Sequence, residues 1–305
     1  MALVSICLPN LNTVRYIPHR VQSIRAQIFH DYEVVVSDNY SIDGAYELLK
    51  DYADADPRVT LFQSQRAGLY ANWNSCIRHS QSKWIYIATS DDIMSPDCLH
   101  ELVREGEMRD CDVVCSPEWI IDGDGNEVSL THPFLRNRVA RRPKVGGWID
   151  SKRQITCALL YSTPFLSITQ LLIKRSAFEA IGMFETSYGS SADFLWQMMA
   201  LRRLSWYYVP LKLGAWRLHE SQATALEQTT KDEQRVRMLL ALHSEGVFQD
   251  SFIDGASIGY ALGSRGAAVP GTFPLAAKCA ASVLLKHPRL AAKLLRGALA
   301  LVAAL

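Results

Sequence analysis

Short β-branched and aliphatic runs alternate with longer amphipathic stretches along the first half of the chain. Residues 4–8, 33–37, 59–62, 84–88 and 112–115 are apolar runs of four or five, the pattern of strands buried on both faces. Between them, segments near 16–29, 44–55, 69–80 and 96–109 have helical length and periodicity. The last is predicted to open with Ser95 as N-cap and Pro96 in the first turn. Strand, helix and strand repeated in this rhythm predict crossover connections and a mainly parallel central sheet flanked by helices. A ligand then sits at the carboxyl ends of the strands.

That edge collects polar residues. Pro9, Asn10, Leu11 and Asn12 end the first run, Asp38 to Gly44 the second, Arg66 and Gly68 follow the third, and Ser90-Asp91-Asp92 ends the fourth. A tight turn at 122–125, carrying Gly123 and Gly125, follows the fifth. From about residue 146 the pattern changes to a helix over 147–160, a strand over 170–174, a helix over 191–203 and strands over 206–210 and 213–218, with helix to the end. No internal repeat is visible.

Composition narrows the picture. With 49% hydrophobic and 21% charged residues the chain reads as globular, and a net charge of +1 offers no global basic surface for nucleic acid. The charge is uneven: residues 251–305 hold six basic side chains against Asp254 alone, and in the last predicted helix Lys286, Arg289, Lys293 and Arg296 share one face. Such a tail reads as a helical pair resting on an anionic membrane surface, as a cap on the catalytic part or as a subunit contact. Seven scattered cysteines without a CxxC pair read as reduced core residues, and the opening strand-like run carries neither a basic region nor a cleavage site, so secretion is not expected and a cytoplasmic location is. The uncharged stretch 154–173 is broken by Ser, Thr, Pro and Gln and reads as a buried helix and strand, not a membrane span.

The sharpest chemical feature is the carboxylate pair Asp91 and Asp92. Adjacent charges repel, and a hard divalent cation such as Mg²⁺ or Mn²⁺ relieves this while binding diphosphate oxygens; helix capping by Asp92 is the plainer alternative. Asp38 ends a second strand on the same edge, where an acid can accept from a base or ribose group or simply shape a turn. Asp193 opens an apolar helix, placed either as a general base or as a partner of the helix dipole. His219 follows a strand and offers an imidazole to a metal, with Arg217 beside it for a phosphate; both also read as packing residues. The seven tryptophans read mostly as core, with Trp119 and Trp148 the candidates for stacking on a ligand. Nucleophile elbows, P-loop lysines and glycine-rich dinucleotide loops are absent.

Taken in order over roughly residues 3–220, these motifs resemble the inverting, GT-A fold glycosyltransferases of family 2. The resemblance rests on the opening strand to Asn12, the turn from Asp38 to Gly44, Gln65, Arg66 and Gly68, Asn72-Trp73-Asn74, and the DXD-type Thr89-Ser90-Asp91-Asp92. It implies an α/β, GT-A type nucleotide-diphospho-sugar transferase fold, with a catalytic domain at 1–220 and a helical region at 221–305. It also implies a nucleotide-diphosphate sugar donor, Mg²⁺ or Mn²⁺, and a glycan or polyprenyl-linked glycan acceptor in bacterial surface polysaccharide assembly at the cytoplasmic face of the membrane. Carried over, Pro9, Asn10, Asn12, Asp38, Arg66 and Asn72 line the nucleotide, Asp91 the ribose side, Asp92 and His219 the metal, and Asp193 is the base. Two departures stand out: Asn39, Tyr40 and Ile42 replace the usual acid, Gly and Thr, and Ala192-Asp193 replaces the usual Glu-Asp pair. The rival readings are a sugar nucleotidyltransferase, whose phosphate loop residues 8–20 lack, and an inactive binding or scaffold protein of the same fold.

Overall fold

Burial on both faces accounts for the central strands of the computed structural model, which describes residues 1–128, 143–161, 168–220, 238 and 242. β1 (Val4–Asn10) and β2 (Tyr32–Asp38) are almost wholly shielded from solvent, so neither needs polar alternation. They pair in parallel from Val4 with Tyr32 to Asn10 with Asp38, which sets those last two polar residues side by side at the carboxyl end. β3 (Val59–Gln63) adds in parallel to β2, and β4 (Trp84–Ile87) in parallel to the other side of β1. Helices α1 (Ile17–Arg25), α2 (Ala45–Ala55), α3 (Leu69–His79) and α4 (Cys98–Arg109) follow the four strands in turn.

Beyond β4 the sheet stops being parallel. β9 (Leu171–Lys174) runs antiparallel between β4 and β6 (Val113–Cys115); β10 (Trp206–Tyr208) is parallel to β6, and β8 (Gly147–Trp148) closes the edge antiparallel. The order is β3-β2-β1-β4-β9-β6-β10-β8. A second sheet places β11 (Gly214–Arg217) between β5 (Ile93–Met94) and β7 (Glu118–Ile121), which brings the chain after residue 214 back to the end of β4. Further α-helices among the described residues are α5 (Ser151–Tyr161), α6 (Arg175–Ile181) and α7 (Ala192–Arg203).

Several boundaries differ from the sequence pattern for identifiable reasons. α1 stops at Arg25, where Gln27 N turns to Ile24 O; the Gln27 side chain donates to Ser95 O at 2.7 Å and accepts from Leu99 N at 3.0 Å. Gln27 therefore caps α4 from outside, while Ser95 turns its hydroxyl to Asp97 and its N–H to Leu213 O. The helix expected over 147–160 begins only at Ser151, since Gly147 and Trp148 are drawn into the sheet against Tyr208 and Tyr207. The two-residue β5, the four-residue β7 and the seven-residue α6 are too short to leave a periodic signal.

α4 lies unusually close to the sheet at Gly106, where a Cβ would stand 2.8 Å from Trp84 Cζ2. The chain divides into two compact units, Met1–Asp150 with Phe165–Leu226, and Ser151–Pro164 with Glu227–Leu305. The first contains both sheets. Of the second, α5 and residues 238 and 242 are described, so the expected basic tail helices lie outside the described residues. Among the described residues no helix is long and apolar enough to cross a membrane, and Cys7, Cys76, Cys98, Cys111 and Cys115 are buried.

Candidate active site

The ends of β1 and β2 form a closed polar lattice. Asp38 is wholly buried, and its carboxylate accepts from Asn10 Nδ2 at 2.7 Å, Ser41 Oγ at 2.6 Å and Ser41 N at 2.9 Å. Ser41 Oγ also receives Asn12 N at 2.9 Å, and Asn12 Oδ1 accepts from Ile42 N at 2.9 Å. Asn72, from α3, donates to the Asn10 carbonyl at 3.1 Å. Asn12 and Tyr40 both take left-handed backbone angles, φ 51° and 57°, which let the two loops fold against each other.

Arg66 braces this lattice from its exposed side, donating through Nε to Asn39 O at 2.8 Å and through Nη2 to Tyr40 O. The seven residues expected to line the nucleotide thus separate by position. Pro9, Asn10, Asp38 and Asn72 are buried and hold the backbone, while Asn12 and Arg66 are exposed at the strand edge. Tyr40, half exposed at 51%, joins those two. The seventh, Asp91, belongs to the neighbouring turn.

At the end of β4 the two adjacent carboxylates face opposite environments. Asp92 is 2% exposed and lies inside: Oδ2 accepts from Thr89 Oγ1 at 2.7 Å and Thr169 Oγ1 at 3.2 Å, and Oδ1 from the backbone N–H of Arg217 at 2.9 Å. Burial and the adjacent Asp91 carboxylate push its carboxyl up to about 6. Asp91 points the other way, and its Oδ2 lies 3.0 Å from His219 Nε2. His219 therefore pairs with Asp91, and the expected grouping of His219 with Asp92 is not the arrangement found; the hydrogen bonds from Thr89, Thr169 and Arg217 hold Asp92 in the interior.

Arg217 is equally interior. Its Nε donates to Asp91 O at 2.7 Å and its Nη1 to Asp122 O at 3.0 Å and Gly123 O at 3.2 Å, so the guanidinium ties the 122–125 turn to the carboxylate turn and is not offered to a phosphate. Tyr16, just before α1, packs its ring 4.8 Å from His219 and beneath the Arg217 guanidinium. Tyr16 thus lies against the His219 side of the Asp91–His219 pair, while Thr169, in the single helical turn before β9, holds Asp92. Sequence reading missed both, since one aromatic and one hydroxyl residue carry no distinctive spacing.

Asp193 stands in the first turn of α7, half buried, with Oδ1 accepting from Phe194 N at 2.7 Å. The segment before it is anchored by α3: Asn74 Nδ2 donates to Phe184 O at 2.8 Å, and Phe184 N donates to Asn74 Oδ1 at 3.0 Å. Phe184 packs in an aromatic cluster with Trp73, Phe178 and Trp196. Trp148 is 58% exposed on edge strand β8 with its ring against Tyr207, and Trp119 lies under Lys212.

The family model for glycosyl transferase family 2 matches residues 5–182. The chain is 29% identical over 126 residues to the glycosyltransferase GlyG of Streptococcus pneumoniae serotype 4, a match covering 41% of this chain and 42% of GlyG. It is 30% identical over 129 residues to chondroitin synthase of Escherichia coli, covering 42% of this chain and 19% of that protein. The matches thus span less than half the length of these relatives. Among solved structures, S. aureus TarS 1–349 in complex with UDP-GlcNAc superposes with a TM-score of 0.63 at 16% identity, covering 96% of this chain and 92% of that one. The mannosyltransferase PcManGT of Pyrobaculum calidifontis, in complex with GDP-Man and Mn²⁺, superposes with a TM-score of 0.57 at 19% identity, covering 94% and 81%. These likenesses show the fold, which is the GT-A arrangement.

Proposed function

The chain belongs to glycosyl transferase family 2, and on that premise we propose that it moves a sugar from a nucleotide-diphosphate donor, with inversion, to a hydroxyl of a glycan or lipid-linked glycan. The observation that carries this reading is the Asp91–His219 pair, 3.0 Å apart at the end of β4, beside the polar loops that end β1 and β2. We assign the nucleotide to the exposed side of those loops, at Asn12, Tyr40 and Arg66, and give Asp38, Asn10 and Asn72 the task of holding them in shape.

The donor set fits a divalent cation of the Mg²⁺ or Mn²⁺ kind. Among the described residues no group of three or more His, Cys, Asp or Glu is placed to enclose a metal, so the protein offers one carboxylate and one imidazole. Hard cations that keep open positions for diphosphate oxygens and water suit such a set. We therefore place Asp91 and His219, not Asp92, as its protein ligands. When bound there, the cation supplies electrostatic stabilisation of the charge on the departing diphosphate.

In the transfer, the acceptor oxygen forms its bond to the anomeric carbon from the face opposite the diphosphate. The bond from that carbon to the diphosphate oxygen breaks, and the electron pair leaves with the nucleoside diphosphate. Asp193 takes the proton of the attacking hydroxyl. It stands in the first turn of α7, with its Oδ1 on the Phe194 N–H at the positive end of the helix dipole. We further propose that the basic tail, with six Lys/Arg against one Asp over residues 251–305, brings the enzyme to an anionic membrane surface at the cytoplasmic face, where a polyprenyl-linked acceptor is presented in surface polysaccharide assembly.

The test is incubation with UDP-, GDP- and dTDP-sugars and Mn²⁺, followed by proton NMR of the anomeric signals. Consumption of one donor with release of its nucleoside diphosphate and a product of opposite anomeric configuration is the expected result. Retained configuration, or no donor consumed by the wild type with any simple acceptor or water, contradicts it.

A further inference from the structure

α1 buries one stripe against the sheet, and that stripe reads Ile17, Arg20, Ile24. Arg20 is 0% exposed, at a position whose helical neighbours are aliphatic. A guanidinium in such a place is costly unless charge and hydrogen bonds compensate it. Its Nε donates to the carbonyl of Thr89 at 2.8 Å, the residue that opens the turn carrying Asp91 and Asp92. Among the described residues its Nη1 and Nη2 are buried without a hydrogen-bond partner. An apolar residue would fill the stripe at lower cost, so packing alone does not explain Arg20.

What Arg20 faces does explain it. The Thr89 hydroxyl donates to Asp92, so the residue whose carbonyl Arg20 holds also holds the inner carboxylate. One helical turn earlier, Tyr16 accepts the Arg20 N–H at its carbonyl and packs its ring against His219. The start of α1 therefore meets His219 through Tyr16 and the turn that leads into Asp91 through Arg20.

We propose that Arg20 is a positioning residue: by holding the Thr89 carbonyl from the core side it fixes the turn that presents Asp91, beside His219, to the divalent cation of the donor complex. It touches neither cation nor nucleotide. The inference rests on the assignment of Asp91 and His219 as cation ligands, and the experiment separates the two.

Mn²⁺ affinity is measured by electron paramagnetic resonance with UDP and then GDP present, for the full chain and for Asp91→Asn, Arg20→Gln, Arg20→Lys and Ile24→Ala, with a melting curve for each. Arg20→Gln is expected to weaken Mn²⁺ binding about tenfold or more, the scale of losing an outer-shell partner. Arg20→Lys, which keeps the charge and one donor but not the fork, is expected to lose about threefold. Ile24→Ala, on the same stripe, is expected to lower the melting temperature without changing the affinity. If Arg20→Gln does not fold, Arg20→Lys decides: a loss of about threefold supports the proposal, and affinity within about twofold of wild type overturns it. Wild-type affinity in both Arg20 variants, or an equal loss in Ile24→Ala, also overturns it. If wild type binds no Mn²⁺, or Asp91→Asn binds it equally well, the ligand assignment itself fails and takes this inference with it.

Discussion

Asp92 receives the backbone N–H of Arg217 at 2.9 Å, from a strand 125 residues further along the chain. That bond joins the end of β4 to β11 and sets His219, two residues on, against Asp91. Of two adjacent and chemically identical carboxylates, one is thereby held in the interior and the other, partly exposed, is paired with His219.

Substitutions at the two positions should therefore diverge. Asp92→Asn places a donor among groups that already donate, and should cost about 1–3 kcal/mol of stability. Asp91→Asn should melt within a few degrees of wild type yet lose Mn²⁺-dependent nucleotide binding by about tenfold or more. Thermal melts and nucleotide titrations of both variants check this; equal melting temperatures would count against the interior role of Asp92.

Asp193→Asn should keep donor affinity within about threefold while turnover falls by about 10²–10⁴, the usual worth of a positioned general base. Steady-state kinetics with separate donor titration checks it. Unchanged turnover would remove Asp193 from the reaction.

Gly106→Ala sets two effects against each other. A helix-interior alanine gains about 1 kcal/mol over glycine. The new Cβ, however, would lie 2.8 and 2.9 Å from the ring of Trp84, which is fully buried and hydrogen-bonded to Glu107. Overpacking of that kind costs about 1–3 kcal/mol, so the variant should be the less stable protein in denaturant melts.

The Arg58 guanidinium beside Asp56 holds the Asp56 carboxyl below its ordinary value. A lowered folded-state value means stability that is present above the unfolded value and lost as pH falls through the folded one. Asp56→Asn should thus be less stable than wild type at pH 7, with the gap closing as pH drops below about 3.9. Urea melts from pH 7 to pH 2.5 check the sign; a gap that widens in acid contradicts it.

The parallel half of the sheet was legible because its strands are buried on both faces, which writes continuous apolar runs such as 33–37 into the sequence. What spacing cannot show is which way a side chain points once the strand ends. Asp91 and Asp92 read alike in one dimension, and only the return of β11 separates them. Likewise Ser95 and Pro96 look like a helix start, yet Gln27, 72 residues from Leu99, does the capping. Arg20 left a signal that goes beyond family likeness: a charge where the helical stripe of Ile17 and Ile24 calls for an apolar residue.

On the proposed assignment, the strand-edge site takes a nucleoside diphosphate through a cation held at Asp91 and His219. Calorimetric titration of wild type and Asp91→Asn with UDP, GDP, dTDP and CMP, with and without Mn²⁺, tests it most directly. The expected result is binding of one nucleoside diphosphate that weakens about tenfold or more when either Mn²⁺ or the Asp91 carboxylate is removed. Nucleotide affinity that is the same with and without Mn²⁺, or no binding of any of the four, would contradict it.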